Sequence, residues 1–252
     1  MWGAGEVGRT LVSVMPGMLC TLAIEISNPS PAVVGKCGSG VALGDVQPGG
    51  AAVTRARSAC GKADDLMTAV DAVLKEAGKS ARDLERVAVS VGPGGYTSLR
   101  MAVTAAKCIC RVGGAESVAI PTANAVLRRV PIEIRDGDRV IIALAWKRND
   151  TWRAIVERGE KEPVNGGIIT LEELAQEATG AHLVADHWLV AQLRKRGLAG
   201  DGLYCSEPVF DAESVLEASA GSKPIDPFEL MPMYPRKPEA VRLWEQGKGR
   251  RH

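Results

Sequence analysis

The chain has 252 residues, a hydrophobic fraction of 46% and a formal net charge of +1, so it can bury a sizeable core in one large domain or two smaller lobes. The near-neutral charge provides no global field toward nucleic acid or an anionic membrane, so any RNA is met through a partner or a local patch. No apolar run reaches the roughly 20 residues that a membrane-spanning helix needs. We therefore expect a cytoplasmic protein, whose six cysteines show no Cys-x-x-Cys pair and are reduced.

The first half of the sequence predicts three strands, a helix, a strand and a helix. Apolar runs predict strands at 19–26, 32–36, 40–43 and 87–91, with 51–57 continuing the sheet. A hairpin turn is predicted at Gly38–Ser39. Helical spacing of apolar residues predicts helices over 62–77 and from Ser98 to about Val112.

The most informative segment runs from Ser90 to Lys107. An apolar strand stops there at the turn Gly92-Pro93-Gly94-Gly95, and a small-residue helical pattern follows at once. Backbone N–H groups at such a turn, next to a helix N-terminus, can hold an anion. A tight connection without any ligand explains the glycines equally well. Both interpretations stay open on the residues alone.

The same segment resembles the signature of the bacterial TsaB proteins, also called YeaZ, which is close to Gly-Pro-Gly-Ser-Phe-Thr-Gly-Leu-Arg after a valine-rich strand. Gly95, Tyr96 and Ser98 depart from that signature. The segment Leu230–Arg236 resembles the closing Pro-x-Tyr-Leu-Arg of the same family, with Pro235 in place of leucine. The residues that match the signature are Gly92, Pro93, Gly94, Thr97, Leu99 and Arg100.

The resemblance implies an α/β protein with the two-lobed actin-like ATPase fold, whose lobes share the order of the elements predicted above. We expect the second lobe to be a degenerate version of the first. Its predicted elements are strands at 117–120, 139–146, 151–156 and 182–185 and helices at 121–128, 171–179, 188–196 and 212–220. The expected divisions are an N-terminal extension (1–18), a first lobe (19–113), a second lobe (114–235) and a C-terminal tail (236–252).

Actin-like proteins usually bind ATP between the lobes, where an acidic residue ends the first strand and a glycine- and threonine-rich loop follows. Here the strand ends in Glu25-Ile26-Ser27-Asn28-Pro29. Pro29 and Pro31 remove backbone donors that a phosphate loop would use. We therefore expect no complete ATP site and no cofactor, while a nucleotide at the boundary with a partner stays open.

Metal and nucleophilic chemistry have little support in the sequence. The spacing of His182 and His187 fits neither a helical pair nor a strand face, and a metal site needs three or four ligands. The catalytic TsaD relatives of the family hold a metal with a histidine pair, which the predicted helix at 62–77 lacks. Thr97 and Ser98 have no evident acid–base partner, so a role in capping the helix is simpler. We predict no metal site and no catalytic residue.

The resemblance implies a supporting role in tRNA modification. TsaB proteins pair with a TsaD-type catalytic subunit through two helices of the first lobe, and a TsaE-type ATPase joins the assembly. The complex attaches threonylcarbamoyl to N6 of adenosine 37 in tRNA, which the chain would meet through the complex. The partner-facing residues expected here are Leu66, Met67, Val70, Met101, Thr104, Ala105 and Cys108. The expected anion or nucleotide contact comprises Gly92, Pro93, Gly94, Gly95, Thr97 and Arg100.

Two other classes of function stay open, and so does a homodimer of the free chain. One is an autonomous ATPase or phosphotransferase of the same fold, which would bind and turn over ATP without a partner. The other is a peptidase-like hydrolase that uses Thr97 or Ser98, which active-site labelling would reveal.

Overall fold

The computed structural model describes residues 17–28, 38–60, 65–131, 134, 135, 137–157, 159, 164–200, 202–237, 241 and 244. The predicted strand at 32–36, most of the N-terminal extension and the start of the predicted helix at 62–64 lie outside these residues. Within the described part, no helix is both long and apolar enough to cross a bilayer.

The first sheet has five strands in the order β3-β2-β1-β4-β5. Its strands are β1 (Leu19–Glu25), β2 (Gly40–Val46), β3 (Ala52–Ala59), β4 (Arg86–Gly92) and β5 (Glu116–Pro121). The first three strands are antiparallel neighbours, and β1, β4 and β5 run parallel. The carboxyl ends of these three parallel strands therefore meet at one edge of the sheet.

The hairpin of this sheet lies later in the chain than the sequence predicts. The turn at 47–50 joins β2 to β3, with Gly50 N donating to Gln47 O at 2.8 Å and Gly49 at a φ of +73°. Glycine adopts that left-handed conformation without steric cost. The predicted strand at 40–43 is confirmed as the first part of β2. The prediction that it pairs with 32–36 across a turn at Gly38–Ser39 was wrong, because its two neighbours in the sheet are β1 and β3.

The described helices comprise α1 (Leu66–Glu76), α2 (Tyr96–Gly113), α3 (Thr122–Leu127), α4 (Leu171–Glu177), α5 (His187–Lys195) and α6 (Ala212–Ser219). A short 3-10 turn covers Ala81–Asp83. Helices α1 and α2 confirm the two helices predicted in the first half. The described order is three strands, a helix, a strand and a helix, but its third strand is β3, at the segment predicted to continue the sheet, and the predicted strand at 32–36 lies outside the described residues.

The two faces of the first sheet carry side chains of different size. Leu22 and Ile24 pack with residues of α1 and α2. The intervening Ala23 lies on the opposite face, where it packs with residues of α6. Small residues permit the close approach of that helix: a Cβ at Gly44 would lie 2.6 Å from a methyl carbon of Leu216.

The second sheet repeats the first, with the order β10-β9-β6-β7-β8. Its strands are β6 (Arg139–Lys147), β7 (Asp150–Glu157), β8 (Val164–Thr170), β9 (His182–Val184) and β10 (Cys205–Ser206). Strands β6, β7 and β8 are antiparallel neighbours, and β6, β9 and β10 run parallel. The lobe is degenerate in strand length, since β9 has three residues and β10 has two.

One helix from each half packs on the sheet of the other half. Helix α3 follows β5 of the first sheet, yet Ala123 and Val126 lie in a core with residues of β6 and β7. Helix α6 follows β10 of the second sheet, yet Val215 and Leu216 pack on the first sheet. Strand β5 also belongs to the first sheet although it follows Gly113, where we expected that lobe to end. The division into lobes stays a prediction.

A charged cluster joins the two exchanged helices. Arg129 follows α3 and donates to the Asp211 carboxylate at 2.8 Å and to Glu217 at 2.8 and 2.9 Å. Asp211 is fully buried and also accepts from Ser214 N as the N-cap of α6. Burial lowers the pKa of Arg129, but its bonds to Glu217 and Asp211 outweigh burial and raise it.

We expect the Arg129→Met variant to lose about 3 kcal/mol of free energy of unfolding, because it leaves the Asp211 carboxylate buried without a cation. Urea denaturation of the chain measures the loss. Lys75→Met is the matched control: Lys75 pairs with Asp71 on the exposed surface of α1, and its loss should cost less than about 0.5 kcal/mol. Equal losses in the two variants would contradict the role assigned to Arg129.

Candidate functional site

Polar side chains collect where the three parallel strands of the first sheet end. Ser90 Oγ lies 2.9 Å from Thr122 Oγ1, and Ser27 Oγ lies 3.4 Å from each of these hydroxyls. All three residues are buried. Ser27 follows β1, Ser90 lies near the end of β4, and Thr122 follows β5. The sequence analysis missed Ser90 and Thr122, although a polar residue at the end of each neighbouring parallel strand is a signal that could have found them.

Glu25 is the acidic member of this cluster, which we call the strand-end cluster (Glu25, Ser27, Ser90 and Thr122). Its Oε1 accepts from Ser27 N at 2.7 Å and from Ser27 Oγ at 2.6 Å. Its Oε2 is buried and has no hydrogen-bond partner within the described part of the chain. Burial raises the pKa of Glu25, while hydrogen bonds from Ser27 and Ser90 and from backbone N–H groups oppose that rise. The Glu25 carboxyl group thus orders the loop after β1, while its burial makes its ionised form unfavourable.

The glycine turn is closed against this loop. Gly95 N donates to Ser27 O at 2.7 Å, and Asn28 Nδ2 donates to Pro93 O at 3.2 Å. A Cβ at Gly94 would lie 2.5 Å from Ser27 O. Because Ser27 O already accepts from Gly95, this N–H is not available to an anion. The geometry favours the tight connection over an open anion cradle.

The glycine turn also contacts the backbone of Met233, close to the C-terminus in sequence. Gly92 has a φ of +115°, and a Cβ there would lie 2.8 Å from Met233 O. Met233 N donates to Val91 O at 2.6 Å, which extends the backbone pairing at the end of β4. Gly92 is therefore required both by its backbone conformation and by the approach of another backbone.

Helix α2 begins earlier than predicted. Its N-cap is Gly95, which has no side-chain cap, and its first residue is Tyr96. The prediction that Thr97 or Ser98 caps the helix was wrong, because both already lie in the first turn. Thr97 is exposed and Ser98 is half-buried.

An aromatic pair covers the outside of the turn. The rings of Tyr96 and Tyr234 lie 4.9 Å apart, and the Arg100 guanidinium lies 5.3 Å from the Tyr96 ring centre. Arg100 also donates to Tyr96 Oη at 3.1 Å. Arg100, the last residue of the signature, therefore stacks on and hydrogen bonds to a side chain of its own chain.

The C-terminal segment (Leu230–Arg236) ties the two halves of the molecule together. Leu230 is fully buried in the core of the first sheet. Arg236 reaches the β6–β7 hairpin, where its Nε donates to Asp150 Oδ1 at 2.7 Å and its Nη1 donates to Ala145 O. With the Met233 bond to β4, the segment therefore contacts strands of both sheets.

The partner-facing residues predicted on α1 do not share one surface. Leu66 and Val70 are 3% and 4% exposed and pack in the core of the first lobe, so neither can contact a partner of the folded chain. Their place in the predicted interface was wrong, because the apolar face of α1 covers its own sheet. Met67 is 56% exposed and lies beside that face.

The exposed surface of α2 mixes small and basic residues. Among the predicted residues, Thr104 and Cys108 are exposed, and Met101 and Ala105 are half-buried. Thr104 lies at helical spacing among the basic residues of α2, which are Arg100, Lys107 and Arg111. Arg111 lies 4.6 Å from the ring centre of Phe228. The small residues permit close approach of another helix.

The described histidines do not come together at a metal site. His182 is buried with Nε2 2.7 Å from Ser206 Oγ, and His187 Nδ1 lies 3.1 Å from Glu207 on the surface. Among the described residues, no group of three or more histidine, cysteine, aspartate or glutamate side chains is placed to hold a metal ion. His252 lies outside them.

Part of the chain matches a family of known proteins. Residues 59–144, which include α1, the turn and α2, match the family model described as TsaD, tRNA N6-adenosine threonylcarbamoyltransferase. No curated protein matches the chain significantly.

Two solved structures from Pseudomonas aeruginosa share the architecture. One is an uncharacterized protein with similarity to peptidase YeaZ: it is 17% identical, with a TM-score of 0.64 over 87% of this chain and 100% of that chain. The other is YeaZ, which is 16% identical with a TM-score of 0.64 over 86% and 100% of the two chains. The chain has the two-lobed actin-like fold. Fold and family match together support the resemblance to TsaB/YeaZ.

We expect Gly94→Ala to destabilise the chain by about 2 kcal/mol, because its methyl group would overlap the Ser27 carbonyl. Gly95→Ala is the matched control, since a Cβ there would lie 3.4 Å from the same oxygen and should cost less than about 1 kcal/mol. Thermal and urea unfolding measure both. Similar small losses would show that the turn is not packed against the loop.

The raised pKa of Glu25 predicts a pH-dependent cost. Below the unfolded-state pKa of about 4.3, the carboxyl group is neutral in both states and costs nothing. As the pH rises toward the higher folded-state pKa, the unfolded chain ionises first, so the free energy of unfolding falls. Glu25→Gln should therefore gain stability relative to the parent as the pH rises above about 4.3. Glu76→Gln, at an exposed position of α1, should show no such gain, and an equal shift in both variants would contradict the assignment.

Proposed function

We propose that the chain is a non-catalytic scaffold subunit of the complex that makes N6-threonylcarbamoyladenosine at position 37 of tRNA. It pairs with a TsaD-type catalytic subunit, a TsaE-type ATPase joins the assembly, and tRNA meets the chain through the complex. The observation that carries the proposal is the match of residues 59–144 to the TsaD family model, since that range holds both helices expected to meet the partner.

The strand-end cluster supports the non-catalytic part of the proposal. The N–H of Gly95 already donates to Ser27 O, and Val91 O already accepts from Met233 N of the C-terminal segment. Within the described part of the chain, neither Thr97 nor Ser98 forms a side-chain hydrogen bond with an acid or a base. These contacts stabilise the first lobe, and none of them prepares a nucleophile or a phosphate site.

The exposed surface of the first lobe supports the scaffold part. Met67 on α1 and Met101, Thr104, Ala105 and Cys108 on α2 offer a surface of uncharged, mostly small residues. Such a surface suits helix–helix contact with a related lobe, because small side chains allow the backbones to approach. The basic residues of α2 lie next to Thr104 and would border this contact.

We expect Met67→Glu and Cys108→Glu to weaken assembly with the TsaD-type subunit of the same genome at least about tenfold, because each places an unpaired charge in an apolar contact. Co-purification and analytical ultracentrifugation of the mixed full-length chains measure the loss. Circular dichroism checks that each variant stays folded.

Trp188→Glu is the control for this test, since Trp188 is 67% exposed on α5 of the second lobe and should leave assembly unchanged. Assembly that tolerates both first-lobe variants would contradict the proposed surface. Tight ATP binding with metal-dependent turnover by the chain alone would contradict the scaffold role and favour an autonomous ATPase.

A further inference from the structure

The second lobe contains a cavity that the proposed function does not use. Its volume is about 490 Å³, which lies in the range of sites for small molecules. Arg139 at the start of β6 and His182 at the start of β9 both line it. The cavity is therefore at the amino ends of these parallel strands, in a different lobe from the strand-end cluster.

Small side chains create most of this space. Ala175, Ala178 and Ala181 line it beside Leu193 from the core of α5. Gly200 also lines it, and a Cβ added there would meet no atom within 4 Å. The alanine and leucine side chains offer apolar surface to the body of a ligand, while polar side chains in the same lining can receive a polar group.

His182 is a buried polar residue in these walls, whose other polar members are Asp138, Arg139, Thr179 and Tyr204. The residue is 4% exposed, its Nε2 lies 2.7 Å from Ser206 Oγ, and its Nδ1 is buried with no hydrogen-bond partner among the described residues. Burial lowers the pKa of His182, which favours the neutral ring with one donor and one acceptor nitrogen. Buried polar atoms without partners are rare and unfavourable in native proteins, so this nitrogen beside a cavity points to a ligand group.

We propose that this cavity binds a small neutral molecule that has an apolar, ring-shaped body and a single hydroxyl group, with the hydroxyl hydrogen bonded to Nδ1 of His182. A hydroxyl can both donate and accept, so it fits either tautomer of the imidazole. The ring-shaped body fits the edge-on packing of Tyr204, whose ring centre lies 4.5 Å from that of His182.

Tyr204 is the movable part of the wall. Its side chain is 56% exposed, so it can turn toward solvent without uncovering a core. The Nδ1 atom is covered in the ligand-free protein, so the proposed binding requires this neighbouring ring to turn away and the ring of the ligand to take its edge-on position. The inference goes beyond the proposed function and does not depend on partner assembly.

Phenol and toluene, which differ by a hydroxyl and a methyl group, test the inference on the full-length chain by NMR titration of backbone amides. Phenol should produce saturable shifts centred on residues 178–183 and 198–204. The ratio of phenol to toluene affinity should fall at least about fivefold in His182→Leu, because the variant removes the hydrogen bond. The ratio of phenol to toluene affinity is compared between the parent and His182→Leu. The difference in hydrophobicity between phenol and toluene affects both proteins equally and therefore cancels.

A second pair of variants tests the location of binding. Gly200→Leu should weaken phenol binding at least about tenfold, because it fills the cavity. Gly221→Leu is the matched control: Gly221 is also exposed and has no atom within 4 Å of an added Cβ, but it does not line the cavity. Should His182→Leu fail to fold, the ¹⁵N shift of His182 Nδ1 on phenol addition provides the hydrogen-bond readout.

The proposal is overturned by non-saturable phenol shifts, by undiminished binding to Gly200→Leu, or by an unchanged probe ratio in His182→Leu. An unshifted Nδ1 resonance with phenol bound would also overturn it. None of these results would bear on the assembly of the first lobe with a partner.

Discussion

The hydrogen bond from Gly95 N–H to the Ser27 carbonyl holds the candidate site in its shape. It forms only because Gly94 has no side chain where the two segments meet. The bond fixes the loop after β1 against the start of α2, and Glu25 holds the same loop from inside through Ser27. A segment whose glycines could have formed an anion cradle is therefore used to join two parts of one lobe.

Two further connections make the halves of the molecule depend on each other. Helices α3 and α6 each pack on the sheet of the other half, and Arg129 links them through Asp211 and Glu217. The C-terminal segment crosses between the lobes and uses Val91 O on one side and Asp150 on the other. Contacts of this kind favour one fixed arrangement of the lobes over repeated opening and closing around a nucleotide. They fit a protein that acts through its outer surface.

Much of this architecture could be predicted from the sequence, because long apolar runs and helical spacing identify elements directly. The runs over β1, β4 and β6 and the helices α1 and α2 belong to this class. Strand β8 was missed because Gly166 and Gly167 interrupt its apolar pattern, and β10 is too short to give a pattern. The turn after β2 was missed because Gly44 and Asp45 appear to end a strand that in fact continues.

The candidate site was harder to predict because it depends on distant contacts. The signature identified the glycine turn, but only the fold shows that Ser27 and Met233 approach it. Periodicity placed Leu66 and Val70 on the same face as Met67, yet it could not tell whether the face covers the sheet or a partner. The spacing of His182 and His187 predicted no metal site. Only the fold shows that His182 is buried beside a cavity in the second lobe.

Reconstitution of tRNA threonylcarbamoylation tests the central claim, that this chain acts by docking while a relative makes the bond. The TsaD-type subunit, the TsaE-type ATPase, ATP, an activated threonylcarbamoyl donor and unmodified tRNA are combined with and without the chain, and modified adenosine is quantified. The account predicts modification only when the chain and the TsaD-type subunit are both present, and none from the chain alone. Modification by the chain without the TsaD-type subunit, or full activity of the mixture without the chain, would contradict it.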